Sequence, residues 1–366
     1  MAGEKRTVLI AGGGTGGHLM PALAIASTLA ERAPHLEPVL IGAVRGVEAQ
    51  LLPTRDFRFH LLPSEPIYRR TWWKNIRWPL IAGRLLRWVE RVFQEERPVA
   101  VLGTGGYASG PVVWWGTRRG VPTAIQEQNA YPGLATRWLS RRVRHVYLGL
   151  PEARRLLRFG PQTQVFDTGN PITPPSPERR EGARRLFGLE PDKPVILVTG
   201  GSQGARAINQ AVAGWLDVGG PENAALIWVT GKGTFVEFSR YHRPPSVQVI
   251  DFLDPMADGY SVADLVISRA GMITVAELCA WGLPSILIPL PTAAADHQNH
   301  NAKVLAEAGA SWLLSQNDLT PARLGDEVNR LLSDGTGRAE MARRALSRGK
   351  PQAGADIVSN LLTLVR

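Results

Sequence analysis

Cysteine is nearly absent from the chain, whose 366 residues include only Cys279. A single thiol cannot close an intramolecular disulfide or build a cysteine-based metal site, so we interpret Cys279 as a small buried apolar side chain. The sequence also lacks an uninterrupted run of about 20 apolar residues, the length that a membrane-spanning helix needs. The first apolar run is short and ends in glycines, unlike a secretory signal. We therefore expect a protein of the cytosol or of a membrane surface.

Acidic residues are scarce, and one stretch is almost without them. The chain carries 42 Lys and Arg against 32 Asp and Glu, a net charge of +10. From Tyr68 to Arg91 the only acid is Glu90, and four tryptophans lie among seven cations. Tryptophan favours the membrane–water interface, and each arginine near anionic head groups contributes about 1 kcal/mol. The stretch therefore predicts a docking surface for an anionic membrane.

Two other interpretations of this stretch stay open. Tryptophan and arginine also stack on each other along ordinary helices. The same pairing stacks on the bases of single-stranded nucleic acid. No recognisable nucleic-acid-binding module accompanies the stretch, so we expect no nucleic-acid partner.

Two glycine loops organise the rest of the chain. Residues 12–18, GGGTGGH, follow the apolar run Val8 to Ile10, and residues 200–206, GGSQGAR, follow Val195 to Val198. Each run is typical of a parallel strand that is buried on both faces, and each loop is followed by a helical pattern. A proline-rich segment, residues 171–177, separates the halves. The pattern predicts two doubly wound α/β domains, residues 1–170 and 171–349, with the tail 350–366 returning to the first.

Ligands of such sheets bind beyond the carboxyl ends of the strands, and two familiar ligand types are disfavoured there. A dinucleotide-binding domain needs an acid after its second strand, and residues 39–45 contain none. A P-loop needs a terminal Lys-Ser/Thr, which both glycine loops lack. His297 and His300 have no apparent third ligand for zinc, so we expect no metal site there.

Several residues at the predicted strand ends can bind a sugar nucleotide or move a proton. Ser202 can donate to a diphosphate or cap its helix. Glu277 can accept from two ribose hydroxyls, or it is an acidic first-turn residue favoured by the helix dipole. His18 closes the first glycine loop, where an imidazole suits general-base chemistry. Glu127 is the rival base, and a plain capping histidine is the alternative for His18.

Seven motifs occur between residues 12 and 298 in one order: GGGTGGH, GTGGYASGP, EQN, GNP, GGSQGAR, SRAGMITVAE and DHQ. In this order and spacing they resemble the MurG family, bacterial glycosyltransferases of the GT-B fold, over essentially the whole chain. The resemblance implies two Rossmann-like domains that face a cleft. It also implies inverting transfer of N-acetylglucosamine from UDP-N-acetylglucosamine to the C4 hydroxyl of the muramyl sugar of lipid I. The product would be lipid II, a peptidoglycan precursor.

The resemblance also assigns roles to residues. His18 and Glu127 become the candidate bases, with His18 slightly favoured. The acceptor diphosphate would lie near Gly105, Gly106 and Tyr107. The implied binding residues for UDP-N-acetylglucosamine are Thr15, Gly16, Gly17, Asn129, Ser202, Leu253, Met272, Ile273, Thr274, Val275, Ala276, Glu277 and Gln298.

The resemblance further implies a peripheral enzyme at the cytoplasmic face of the inner membrane, without a tightly bound metal or a cofactor. The chain departs from the family pattern at two positions. Thr173 stands where the family often has arginine, which removes a cationic donor contact that Arg206 or Arg269 would have to replace. Gln126 stands where the family often has histidine. Another GT-B enzyme, such as a UDP-sugar epimerase or a glycolipid synthase, stays the alternative.

Overall fold

The computed structural model describes residues 6–14, 16–44, 48–63, 78–201 and 204–365, with only the backbone of residues 78–82. The chain divides into two compact units, Met1–Ile172 with Gln352–Arg366, and Thr173–Pro351. The division falls inside the proline-rich segment 171–177. Thr15, Ser202 and residues 64–77, which include the first ten residues of the tryptophan- and arginine-rich stretch, lie outside the described residues.

The first unit is built on a seven-stranded sheet with the order β3-β2-β1-β4-β5-β6-β7, in which all paired strands are parallel. Apolar side chains cover both of its faces, as expected for strands without a solvent side. Its strands are β1 (Arg6–Gly12), β2 (Leu36–Ala43), β3 (Phe59–Leu62), β4 (Ala100–Gly105), β5 (Thr123–Glu127), β6 (His145–Leu148) and β7 (Gln164–Phe166). Its helices before the linker are α1 (Gly16–Arg32), α2 (Glu48–Leu51), α3 (Trp78–Glu96), α4 (Gly106–Arg118) and α5 (Leu134–Leu139).

The second unit repeats this plan with a six-stranded parallel sheet of order β10-β9-β8-β11-β12-β13. Its strands are β8 (Val195–Thr199), β9 (Ala225–Val229), β10 (Val247–Ile250), β11 (Leu265–Ser268), β12 (Ser285–Leu287) and β13 (Trp312–Leu313). Its helices are α6 (Arg180–Leu186), α7 (Arg206–Asp217), α8 (Phe235–Phe238), α9 (Met256–Val262), α10 (Met272–Trp281), α11 (His297–Glu307), α12 (Pro321–Ser333) and α13 (Gly335–Arg348). The two sheets confirm the predicted α/β class with two doubly wound parallel domains.

The last helix, α14 (Ala353–Leu362), packs on α1 of the first unit. Ile357, Val358 and Leu361 are fully buried in the cluster that covers one face of the first sheet. The Arg6 guanidinium donates to the carbonyl of Val365 at 2.9 Å, which ties the chain end to the start of β1. The tail is thus part of the first core.

No helix in the described ranges is both long enough and apolar enough to cross a membrane.

Candidate functional site

The strand order places the glycine loops where ligands of such sheets bind. In the first sheet the connection changes direction between β1 and β4, so the loops after these two strands lie side by side. In the second sheet the same point lies between β8 and β11. Each unit therefore has a switch point lined by two of the predicted motifs.

The two loops of the first unit interlock through backbone approaches that only glycine allows. A Cβ atom at Gly106, where φ is +77°, would overlap the carbonyl oxygen of Gly13. A Cβ atom at Gly14, where φ is +96°, would lie 2.5 Å from the ring of Tyr107. The structure thus brings Gly106 and Tyr107, predicted acceptor residues, against the first glycine loop.

His18 lies at this junction, in the first turn of α1 after the predicted donor residues Gly16 and Gly17. Its half-buried imidazole packs on Gly105, where a Cβ atom would lie 2.5 Å from Cδ2. The Thr104 hydroxyl donates to the His18 carbonyl at 2.8 Å, which fixes this turn to the end of β4. The histidine is therefore held against Gly105, one of the predicted acceptor-binding residues.

Glu127, the rival base, is a buried carboxylate with both oxygens engaged. Oε1 accepts from the backbone N–H and the side-chain amide of Asn129, at 3.1 and 3.2 Å. Oε2 accepts from the Gly133 N–H at 3.0 Å. A proton taken up by this group would disturb three hydrogen bonds that shape the loop after β5. The Glu127 carboxylate therefore orders Asn129 and the loop after β5, and its role as a base stays a prediction, as does that of His18.

A buried chain of amides connects the neighbouring strand ends. The Gln126 side chain donates to Asn170 Oδ1 at 2.8 Å and accepts from the Gln128 side chain. The Gln128 amide also donates to the carbonyl of Thr104 at 2.5 Å. Gln126 thus links β5 to the GNP motif and, through Gln128, to the strand end beneath His18. This bonding accounts for an amide at the position where the family often has histidine.

Sequence reasoning missed Glu48, a fully buried carboxylate at the start of α2. Its Oε1 accepts from the N–H of Gly14 at 2.6 Å and from that of Ala43 at 3.1 Å, so an internal carboxylate holds the first glycine loop. Its Oε2 has no hydrogen-bond partner in the described part of the chain. Gly13 and Gly42 make room for it, since a Cβ at either would lie within 3 Å of its side chain. The glycine at the end of β2 was the available signal.

The second unit has its own interlocked loops at the end of β8. A Cβ atom at Gly204, where φ is +72°, would overlap the carbonyl oxygen of Thr230 at the end of β9. Asn209, buried in α7, donates to the same carbonyl at 2.9 Å. Gly204 and Asn209 thus hold the start of α7 against the end of β9.

The helix α10 follows β11, so its amino terminus lies at the switch point of the second sheet. Its first intrahelical hydrogen bond runs from Val275 N–H to the Gly271 carbonyl, so the preceding N–H groups have no intrahelical acceptor. Such a terminus favours an anion. The side chains of Met272 and Val275 are buried in the core, whereas those of Ile273, Thr274 and Ala276 are half-buried. The buried members of the predicted set can therefore contact a donor only through their backbone.

Glu277, in the second turn of α10, has a pKa that differs clearly from that of an exposed glutamate. Burial raises the pKa of Glu277 to about 7, because an ionised carboxylate loses solvation there. The Tyr260 hydroxyl donates to its Oε2 at 3.0 Å, which acts in the opposite direction. The carboxylate is poised to change its charge near neutral pH.

The remaining predicted donor residues occupy loops after β10 and β12. Leu253 is half-buried and contacts the backbone of Gly259, where a Cβ would lie 2.9 Å from Leu253 Cδ2. The side-chain Oε1 of Gln298 accepts from the Leu290 N–H at 3.0 Å and so holds the loop after β12. The loops that carry both residues follow carboxyl ends of strands in the second sheet.

Arg206 and Arg269, which were expected to replace the cation missing at Thr173, both make contacts within the second unit. Arg206 pairs with Glu237 at 2.7 Å. Arg269 donates to the carbonyls of Ile288 and Pro289 and to Gln316, and burial lowers its pKa. Arg269 therefore shapes the loop after β12.

One group of potential metal ligands occurs in the described residues, formed by His60, Glu95 and Glu96 at β3 and α3. The buried Glu96 carboxylate already accepts from His60 at 2.7 Å and from Arg58 at 2.6 Å. A cation would have to displace this guanidinium. The group involves none of the predicted site residues.

Comparison with known proteins gives matches over both units. Residues 8–148 match the glycosyltransferase family 28 N-terminal domain, and residues 195–357 match the glycosyltransferase family 28 C-terminal domain. Proteins of Moorella thermoacetica and Chlorobaculum parvum are each 38% identical to the chain, over 98% of it and 99% of their own lengths. Both are named "UDP-N-acetylglucosamine--N-acetylmuramyl-(pentapeptide) pyrophosphoryl-undecaprenol N-acetylglucosamine transferase".

Solved structures agree with these sequence matches. The crystal structure of Acinetobacter baumannii MurG has a TM-score of 0.79 and 29% identity, over 98% of this chain and all of that one. The UDP-GlcNAc 2-epimerase of Neisseria meningitidis, with a TM-score of 0.63 and 14% identity over 98% of this chain and all of that one, shares the fold alone.

Proposed function

The chain belongs to glycosyltransferase family 28, and we propose that it transfers N-acetylglucosamine from UDP-N-acetylglucosamine to the muramyl sugar of lipid I, the undecaprenyl-diphosphate-linked acceptor. The observation that carries this is the 38% identity to transferases of that name over 98% of the chain. The GT-B fold class and the transferase activity follow from the same matches. The product, lipid II, is a peptidoglycan precursor, so the enzyme serves cell-wall growth, cell shape and division. The epimerase alternative is not favoured, because its similarity is limited to the fold.

The second unit supplies a coherent donor site. Its switch point offers the glycine loop after β8 and the amino terminus of α10, which suit the donor diphosphate and the leaving UDP. Glu277 accepts from the ribose hydroxyls, and the backbone at Leu253 accepts the uracil edge. Gln298 and the polar side chains of α10 bind the sugar. Thr15 and Ser202 complete this set by family resemblance.

The first unit supplies the acceptor site and the base. The acceptor diphosphate binds near Gly105, Gly106 and Tyr107, while His18 removes the proton from the C4 hydroxyl. That oxygen attacks the anomeric carbon as the bond to UDP breaks, so the configuration inverts in one displacement without a covalent intermediate. Helix dipole and backbone N–H groups carry the charge of the leaving group. The reaction as proposed therefore uses no cofactor and no tightly bound metal.

We assign the membrane-docking surface to the first unit, where it extends beyond the tryptophan- and arginine-rich stretch. Leu85, Leu86, Gly110, Pro111, Trp114 and Trp138 line an apolar groove of about 280 Å³. Trp138 is 49% exposed, and the Arg142 guanidinium lies 4.6 Å above its ring. Apolar side chains with cations beside them suit the head-group region of an anionic leaflet. The lipid anchor of the acceptor would hold the enzyme at the cytoplasmic face.

Replacing Trp138 with alanine together with Arg142→Gln should weaken sedimentation with anionic liposomes by about tenfold, since one interfacial aromatic ring and one cation are lost. Turnover of a water-soluble, short-chain acceptor should stay within about twofold. Arg185→Gln, an exposed cation of the second unit, is the matched control. Unchanged sedimentation of the double variant would refute the docking surface.

The transferase itself is tested by product analysis. Incubation with UDP-N-acetylglucosamine and a short-chain lipid I analogue should give a disaccharide product with a β-1,4 linkage. Formation of an epimerised UDP-sugar without acceptor would instead support the alternative.

A further inference from the structure

We infer that Tyr260 is a positioning residue that holds Glu277 in the orientation in which it binds the ribose of the donor. This inference rests on the proposed function, because it takes the second unit to be the nucleotide-binding one. It adds a residue that none of the predicted motifs contains.

The contact itself is specific. Tyr260 lies on α9 with 3% of its surface exposed, and its hydroxyl donates to Glu277 Oε2 at 3.0 Å. Two oxygens accept hydrogen bonds in a carboxylate, so this bond leaves Oε1 and further lone pairs for a vicinal diol. A carboxylate fixed in one rotamer binds without first losing that freedom, which favours affinity.

Tyr260 is in turn held from two sides. Its ring packs on Trp281 of α10, with 6.2 Å between ring centroids and an angle of 49°. On the other side, Arg180 of α6 donates to the carbonyl of Ser261 at 2.8 Å. Helix α9 therefore cannot shift without breaking contacts to both neighbours, which makes the hydroxyl a fixed donor.

The helix α9 also contacts the loop of Leu253, which is proposed to bind the uracil ring of the donor. Gly259, the residue before Tyr260, packs against Leu253, because a Cβ there would lie only 2.9 Å from Leu253 Cδ2. One short element thus supports the loop that receives uracil and the side chain that receives ribose. A displaced α9 would disturb both subsites together.

Electrostatics agree with this geometry. Burial raises the pKa of Glu277, and the hydroxyl of Tyr260 favours the ionised form that accepts from a diol. Burial and the nearby carboxylate raise the pKa of Tyr260 as well, so the phenol keeps its proton at neutral pH. Arg348 of α13, which also packs on α10, acts on the Cys279 thiol. Tyr260 therefore acts on Glu277 through its hydrogen bond and not through a charge.

The test is the variant Tyr260→Phe, which keeps the ring and removes the donor. We expect the KM for UDP-N-acetylglucosamine to rise about tenfold, as for a lost hydrogen bond to a charged group, with kcat within about twofold. The matched control is Tyr241→Phe, because that hydroxyl also bonds a carboxylate, Asp217, at 3.0 Å. The control should leave both constants unchanged.

Donor analogues separate positioning from a merely structural role. With a UDP-N-acetylglucosamine analogue that lacks one ribose hydroxyl, the ratio between wild type and Tyr260→Phe should shrink towards one. In a double-mutant cycle, Tyr260→Phe should add little to Glu277→Gln. Should Tyr260→Phe not fold, Trp281→Leu, which removes the ring that packs on Tyr260 and leaves Glu277 in place, should show the same selective rise in KM.

The outcomes distinguish this inference from the proposed function. If Glu277→Gln raises the donor KM but Tyr260→Phe behaves as wild type, the positioning role is wrong and the donor site stands. An equal loss with both ribose and deoxyribose donors would also overturn the positioning role. If Glu277→Gln itself leaves the donor KM unchanged, the proposed ribose site fails.

Discussion

Replacing His18 with alanine should lower kcat by about 10²- to 10⁴-fold at saturating donor and acceptor, the range found for lost general bases. The affinity for UDP-N-acetylglucosamine should stay within about twofold. The reason is geometric: the imidazole is packed on Gly105 at the junction of the two glycine loops, while the proposed nucleotide site lies on the second unit. Steady-state kinetics and equilibrium titration of the donor check the two halves of the prediction.

Matched variants separate loss of the base from loss of structure. His35→Ala removes an exposed histidine beyond the end of α1 and should have no effect. Gly105→Ala places a methyl group against the His18 ring and should lower kcat, whereas Gly120→Ala, also at positive φ, meets nothing within 4 Å. Glu127→Gln should lower the thermal midpoint, because its carboxylate organises the loop after β5. If His18→Ala retains more than a tenth of wild-type kcat, the assignment of the base is wrong.

Replacing Glu277 with glutamine should raise the KM for UDP-N-acetylglucosamine by about 10- to 100-fold, since hydrogen bonds to a charged carboxylate contribute about 1.5–3 kcal/mol. The effect should depend on pH, because burial raises the pKa of Glu277 to about 7. Below that pH the protonated group accepts poorly, so wild-type kcat/KM for the donor should fall as the pH falls through 7. The variant should lack this limb.

The contribution of Glu277 to the stability of the fold should depend on pH in the opposite direction from its contribution to donor binding. A carboxyl whose pKa rises on folding makes its contribution at low pH and loses it as the pH rises from about 4.5 to 7. Glu277→Gln should therefore unfold at a higher temperature than wild type at pH 8, and this difference should shrink by pH 5. Glu340→Gln is the control, because Arg343 and Arg344 lower the pKa of that exposed group to about 2. A Glu277→Gln midpoint that never exceeds that of wild type would contradict the buried-charge account.

The strands that are buried on both faces could be predicted, because such strands appear in the sequence as uninterrupted apolar runs. Residues 195–199, for example, form β8 where the run and its glycine loop indicated it. The strand β13 has two half-buried residues and gave no such run. The helix α12 was missed although Thr320 and Pro321 form a usable start signal, since the Thr320 side chain accepts from Arg323 N–H at 3.1 Å.

The candidate site was predictable where one short motif holds the chemistry. His18 and Glu277 each stand in such a motif, and both occupy a switch point in the structure. Glu48 and Tyr260 were not predicted, because each acts on a residue that is distant in the sequence. Glu48 binds Gly14, 34 positions away, and Tyr260 binds Glu277, 17 positions away. The ion pair of Arg206 with Glu237, 31 residues away, also left no local signal in the sequence, and a role of Arg206 or Arg269 as the replacing cation stays a prediction. The Lys232 ammonium lies 5.1 Å above the ring of Phe252, the neighbour of Leu253.

The most direct test of the account is UDP release measured with donor alone, acceptor alone and both together. A transferase in which His18 activates the acceptor should release UDP only when UDP-N-acetylglucosamine and the lipid I analogue are both present, and His18→Ala should slow that release by at least about 100-fold. Donor binding without UDP release in the complete mixture, or equal release without acceptor, would contradict it.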